Sequence, residues 1–180
     1  PSRAADPVVM PVDGDAAARV AGRLAAAGVG ESAPIIVLHV SAGNPFRRWP
    51  TASFAEVAAR LATDDPARRV IITSGPSEAG ASEAVATQAR ALAGPAADGI
   101  VSSGEFDLSE LRALVGRAAL YIGGDSGPLH IAATTAAPVV ALFGPTLPER
   151  SMPWRDPATG SLAVDGGPLP CRPCHQRHCV

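Results

Sequence analysis

The stretch Tyr121-Ile-Gly-Gly-Asp-Ser-Gly-Pro-Leu-His130, followed by Pro138-Val-Val-Ala-Leu-Phe-Gly-Pro-Thr146, constrains the fold more than any other part of the chain. It reads as strand, glycine loop, helix N-terminus and next strand in immediate succession. Such a loop sets free backbone N–H groups and the Ser126 hydroxyl at the positive end of a helix dipole, where a phosphate is held at least cost. Pro128 suits the first helical position, because its missing N–H has no intrahelical partner there. Gly123, Gly124 and Gly127 are expected to take positive φ and admit a ligand close to the backbone.

The rest of the chain repeats this alternation. Asp13 to Ala27 has an acidic start, strong helix formers and Gly28 as a stop, so it is expected to be a helix. Ile35-Ile-Val-Leu-His-Val40 is a continuous, β-branched apolar run, which suits a strand covered on both faces. Ser53-Phe-Ala-Glu56 has the form of a capping box opening a helix to about Leu61, and Asp107-Leu-Ser-Glu110 repeats it before Leu111 to Arg117. Further strands are expected at Arg69 to Thr73, Gly99 to Ser102, Ala119 to Ile122 and Val139 to Phe143, with helices at Ser82 to Leu92 and Leu129 to Thr135. Alternation of this kind implies an α/β domain with a parallel sheet and helices on both faces. Ligands of such sheets sit outside the carboxyl ends of the strands, so the loops after the strands should share one rim. Residues 1–146 form that domain in this reading, and 147–180, rich in Pro, Gly and Cys, an irregular tail.

Composition narrows the partners. With 180 residues the chain holds one well-buried domain, and its net charge of −2 gives no footprint for nucleic acid. No run approaches the ~18 apolar residues of a membrane span, so no transmembrane segment is expected. Neither an initiator Met nor a secretory signal opens the chain, which reads as a portion of a longer one. Cys171, Cys174 and Cys179 cluster at the end with His175 and His178 in the manner of a zinc knuckle. A second, separated ligand pair is lacking, so reduced thiols are expected and no metal site.

Two superficial motifs are set aside. Gly28-Val-Gly-Glu-Ser-Ala33 fits a dinucleotide fingerprint, but it follows a helix and precedes a strand, the reverse of the required order. Gly124-Asp-Ser-Gly-Pro128 is similar to a serine-protease nucleophile loop on the wrong architecture, and His39 lies within a strand. In Ser41-Ala-Gly-Asn-Pro-Phe-Arg-Arg-Trp-Pro50, directly after the first strand, Arg47 is read as a bidentate partner for a diphosphate. Arg48 is read as a solvated turn charge, and Trp49 as a staple on the next helix.

Taken together, His39 to Pro50, Gly123-Gly-Asp-Ser-Gly-Pro-Leu-His-Ile-Ala-Ala133 and Pro138 to Thr146 closely resemble glycosyltransferase family 9, the ADP-heptose:lipopolysaccharide heptosyltransferases. The resemblance covers most of the chain in the right order and spacing. It implies a GT-B architecture of two Rossmann-like domains, with this chain as the C-terminal, nucleotide-sugar half and the acceptor half absent. It implies an inverting transferase that takes a heptose or related sugar from an ADP-sugar and passes it to a saccharide or lipid-linked acceptor through the missing N-terminal domain. That domain would also supply the general base, leaving this half inactive alone.

By position, the resemblance assigns Arg47 and His130 to neutralising the leaving diphosphate. Ser41, Ala42, Asp125, Ser126 and Gly127 would line the donor site, with Asp125 accepting from sugar hydroxyls or orienting the loop. Glu78 would accept from the ribose and Leu108 pack on the base. No Asp-x-Asp metal motif is present and no cofactor is expected. The full protein would be cytoplasmic, or peripheral at the inner face of the membrane. Alternative readings are a GT-B relative such as a sugar-nucleotide epimerase, and a non-catalytic nucleotide-sugar-binding module.

Overall fold

The structure, a computed structural model, describes residues 7–78 and 80–174. Its strands are β1 (Ile35–His39), β2 (Arg69–Thr73), β3 (Ile100–Gly104), β4 (Ala118–Gly124), β5 (Val139–Phe143) and β6 (Ser161–Asp165). The helices are α1 (Gly14–Ala26), α2 (Thr51–Asp64), α3 (Ala81–Ala93), α4 (Leu108–Gly116), α5 (Gly127–Ala132) and α6 (Pro148–Ser151). All pairings are parallel, in the order β3-β2-β1-β4-β5-β6. The chain winds outward from β1 to β3 and then crosses back to β4, so the strand order reverses between β1 and β4. In doubly wound sheets that reversal opens a crevice at the carboxyl ends.

Period-two alternation divides the β1 and β2 side chains between two cores. Ile35, Val37 and Ile71 pack with Val20 and Leu24 of α1, Leu111 and Leu114 of α4, and Leu129 of α5. Ile36, Leu38, Val70 and Ile72 face the other way, against Phe54 and Ala58 of α2 and Val85 and Ala89 of α3. Burial on both faces explains why β1 is an unbroken apolar run, and each large aliphatic side chain there contributes roughly 1.5–3 kcal/mol.

The helix starts obey local rules, with one exception. Asp13 caps α1 by accepting from the Ala16 N–H at 3.0 Å. Asp107 and Glu110 form the expected capping box on α4. The capping box expected at Ser53 and Glu56 is not formed, because α2 begins at Thr51 with Pro50 as its cap residue and Ser53 falls inside the first turn. Pro50 sets the helical entry through its fixed φ. Trp49 packs edge-on against Phe54 at 5.2 Å between ring centroids, a hydrophobic staple across the cap.

Two further expectations change. Gly123 and Gly124 are strand residues, and positive φ among the described glycines is confined to Gly28, Gly94, Gly104 and Gly167. They are glycines because of what presses on them. A Cβ on Gly123 would lie 2.6 Å from the Tyr121 hydroxyl, and one on Gly124 3.1 Å from the Arg47 carbonyl oxygen. The segment after Thr146 is not irregular throughout, since it supplies α6 and then β6, which lengthens the sheet beside β5. Arg172 clamps it down. Its guanidinium donates to the Thr146 carbonyl at 2.7 Å and to Asp165 at 2.9 Å, holding the Asp165 carboxyl below its ordinary range.

Candidate functional site

A pocket of about 230 Å³ opens where the strand order reverses. Each of the four neighbouring strands contributes the loop at its carboxyl end. Ser41, Ala42 and Gly43 follow β1, Ser74, Gly75, Pro76 and Glu78 follow β2, Phe106 and Leu108 follow β3, and Ser126, Gly127 and Pro128 follow β4. The pocket therefore unites Ser41, Ala42, Glu78, Ser126 and Gly127, residues far apart in sequence that lie in the loops after the strands, with Leu108, which the family resemblance singled out.

The floor is a buried polar chain. His39 lies at the end of β1 with 4% of its surface exposed. Its Nδ1 is 2.9 Å from Thr73 Oγ1 and its Nε2 is 3.0 Å from Ser41 Oγ. The Gly75 N–H donates to the same Ser41 oxygen at 2.7 Å. Burial pushes the His39 pKa down to about 4, so the ring is neutral near pH 7. Sequence reasoning placed His39 in a strand and in the family-like segment, and gave it no role in the site. Its position at a strand end, beside a hydroxyl loop, was the available signal.

At the mouth, Arg48 pairs with Glu78 and donates from Nε to the Ala42 carbonyl at 2.8 Å. Arg48 is thus a tie between the β1 and β2 loops, not the solvated turn charge expected. An arginine pointing away from its own turn finds its acceptors only once β2 is docked alongside β1. Leu108 is 60% exposed at the start of α4, offering an apolar surface at the rim. On the outer side of this wall, the Arg23 guanidinium stacks 3.7 Å above the Phe106 ring and donates to the Ser103 and Glu105 carbonyls.

Arg47, Asp125 and His130 stand apart from the pocket wall. Asp125 is buried and is not among the residues that line the pocket. Its Oδ2 accepts from the Arg47 guanidinium at 3.2 Å and from the Thr146 hydroxyl at 2.7 Å. The Asp125 carboxylate thus joins Arg47 and Thr146. Arg47 Nε is buried without a hydrogen-bond partner. Arg47 lines a second, outer cleft of about 320 Å³ with Trp49, Gly144, Val164 and Leu169. His130 is exposed in the last turn of α5.

Among the described residues, no group of three His, Cys, Asp or Glu is arranged to hold a metal ion, and none of the helices is long and apolar enough to cross a membrane. Cys171 and Cys174 are free thiols, while His175, His178 and Cys179 lie outside the described residues.

The fold and pocket define a class first: a doubly wound, Rossmann-like α/β domain with a polar site at its switch point. The chain belongs to glycosyltransferase family 9 (heptosyltransferase), whose profile matches residues 7–180. It is 32% identical over 152 residues to Lipopolysaccharide heptosyltransferase 3 of Escherichia coli, a match spanning 84% of this chain and 43% of that protein. The glycosyl transferase family 9 structure from Veillonella parvula DSM 2008 has the same fold, with a TM-score of 0.73 at 20% identity over 90% of this chain and 44% of that one. Escherichia coli ADP-heptose lps heptosyltransferase II gives a TM-score of 0.70 at 22% identity over 87% of this chain and 44% of its own. The chain thus spans less than half the length of these relatives, which carry the GT-B architecture that the sequence resemblance implied.

Proposed function

We propose that this chain is the donor-binding half of a glycosyltransferase that moves a heptose or related sugar from an ADP-sugar, with inversion, to a lipopolysaccharide-type or other saccharide acceptor. The observation that carries this reading is the switch-point pocket, which gathers Ser41 and Ala42 of the β1 loop, Glu78 of the β2 loop and Ser126 and Gly127 of the β4 loop. Its family and the ADP-heptose named for the solved relative support the choice of donor.

In this reading Ser41, Ser126 and the Gly127 N–H hold the diphosphate, with Ala42 leaving room beside it. Leu108 packs on the base, and Glu78 accepts from the ribose once Arg48 yields its carboxylate. Transfer is displacement at the anomeric carbon, and charge on the departing diphosphate is met by donors aimed where it develops. Arg47 and His130 supply that charge compensation, Arg47 by exchanging part of its contact with Asp125 for the phosphate. The acceptor and the base that deprotonates it belong to the remainder of the full-length protein, so the isolated chain binds donor and transfers nothing. The full-length enzyme acts in the cytoplasm, at the inner face of the membrane where a lipid-linked acceptor is presented.

Thermal shift against ADP-, UDP- and GDP-sugars tests the assignment. A ligand at about 100 times its Kd adds roughly 2.7 kcal/mol of apparent stability. The expected result is a response to ADP-sugars that exceeds the others. No response to any nucleotide sugar, or an equal response to all, overturns the donor assignment.

A further inference from the structure

The floor of the pocket carries more information than its outline, because its protons can be counted. Thr73 is 1% exposed, and the hydrogen bond described for its hydroxyl is the one with His39 Nδ1. A buried hydroxyl proton with no acceptor is costly, so Thr73 donates to Nδ1. A neutral imidazole has one bare and one protonated nitrogen, which puts the ring proton on Nε2. Nε2–H then donates to Ser41 Oγ, and the Gly75 N–H donates to the same oxygen. Both lone pairs of Ser41 Oγ are filled, and its own proton is turned away from both partners. Ser41 lines the pocket, so that proton is delivered there.

We propose that His39 is a positioning residue: held as the Nε2–H tautomer between Thr73 and Ser41, it makes the Ser41 hydroxyl an obligate donor and selects an acceptor-only oxygen, that of a phosphoryl group, at this point of the site. The proposal rests on the donor-site reading and adds its selectivity. A ligand hydroxyl or amino group that needs an acceptor finds none at Ser41. A phosphoryl oxygen finds a donor whose direction is fixed before it arrives, which lowers the ordering cost of binding. The depressed His39 pKa fits this role, since a charged ring would donate from both nitrogens and break the chain at Thr73.

Long-range proton–nitrogen NMR of the ¹⁵N-histidine chain, with His39 assigned through His39→Gln, reads the tautomer directly. Nε2–H is expected in the free chain and with ADP, and an Nδ1–H ring overturns the proposal. Amide shifts of Gly75 and Gly127 on adding ADP report separately on the donor site; their absence removes that reading while the tautomer still decides the assignment of the network.

Binding measurements then test the consequence. Ser41→Ala is expected to weaken ADP and inorganic pyrophosphate by roughly ten-fold or more, the scale of a hydrogen bond to a charged group, and to leave adenosine unchanged. His39→Leu should weaken ADP and pyrophosphate several-fold, and His39→Gln, which keeps an N–H near Nε2, should recover most of that loss. Equal affinities for the Leu and Gln variants, or an unchanged pyrophosphate affinity in Ser41→Ala, would overturn it.

Discussion

The rim of the sheet carries two hollows of similar size that differ in what their polar groups are doing. In the switch-point pocket the buried groups are neutral and each is hydrogen-bonded to a neighbour, while Ser41, Ser126 and Gly127 line the opening. In the outer cleft the charged groups are paired within the protein, with Arg47 Nε left unpartnered among the described residues. Arg47 is bound to Asp125, Asp165 to Arg172, and much of what remains on the wall is apolar, including Trp49, Leu142, Phe143, Val164 and Leu169. Availability is thus not a property of residue type. Arg47 looks like the more obvious anion partner in sequence, yet its guanidinium is held by Asp125, whereas the proposed network turns the Ser41 proton outward.

The largest effect that would sharpen this contrast is on the outer side. Arg47→Ala leaves the Asp125 carboxylate buried with Thr146 alone, and removing one partner of a buried pair costs about 3–5 kcal/mol. Urea denaturation should show that loss at neutral pH. A change below about 1 kcal/mol would mean that Asp125 is hydrated, and that the Arg47 pair is a surface contact of little weight.

The inner pocket should respond to pH instead. The folded His39 pKa of about 4 lies below its ordinary 6.5, so its contribution is complete above pH 6.5. As pH falls from 6.5 through about 4, the unfolded chain takes up a proton that the native state refuses, and stability drops by on the order of 3 kcal/mol. Urea titrations between pH 7 and pH 4 measure the slope, and subtracting the His39→Gln curve isolates this group. Identical slopes in both proteins would show that the ring is not desolvated.

Gly144→Ala is the next step down. Its Cβ would lie 2.7 Å from the Phe46 carbonyl oxygen, a backbone atom, so the Arg47 turn must shift. Overpacking of this kind costs about 1–3 kcal/mol, read as a lower melting temperature. At the far side of the outer cleft, Leu162→Ala on β6 should change stability by less than about 0.5 kcal/mol, since Leu162 is 57% exposed. A larger loss would mean that the β6 face is covered in solution.

The sequence made β1 and β2 legible because strands buried on both faces are apolar runs, as in Ile35-Ile-Val-Leu-His39, and β3 to β5 through shorter apolar runs between helix signals. It hid β6. Ser161-Leu-Ala-Val-Asp165 is exposed at every position and sits among prolines and glycines, and it is held by pairing with β5, a contact that no local pattern encodes. The loops of the site were legible by the same logic, since each follows a strand. Their side-chain commitments were not. Arg47 and Asp125 are 78 residues apart, and Arg48 finds Glu78 only through the docking of two strands. The roles of Gly123 and Gly124 were misjudged for a related reason, because a glycine required by crowding looks the same in sequence as one required by φ.

The open sixth strand has a practical consequence. Its outer row of peptide groups lacks a neighbouring strand among the described residues, and Leu162 and Val164 border it with exposed apolar surface. Raised to high concentration, the isolated chain would begin to zip to its copies along that seam, and a lysine in place of Leu162 is the change that should keep such samples monodisperse.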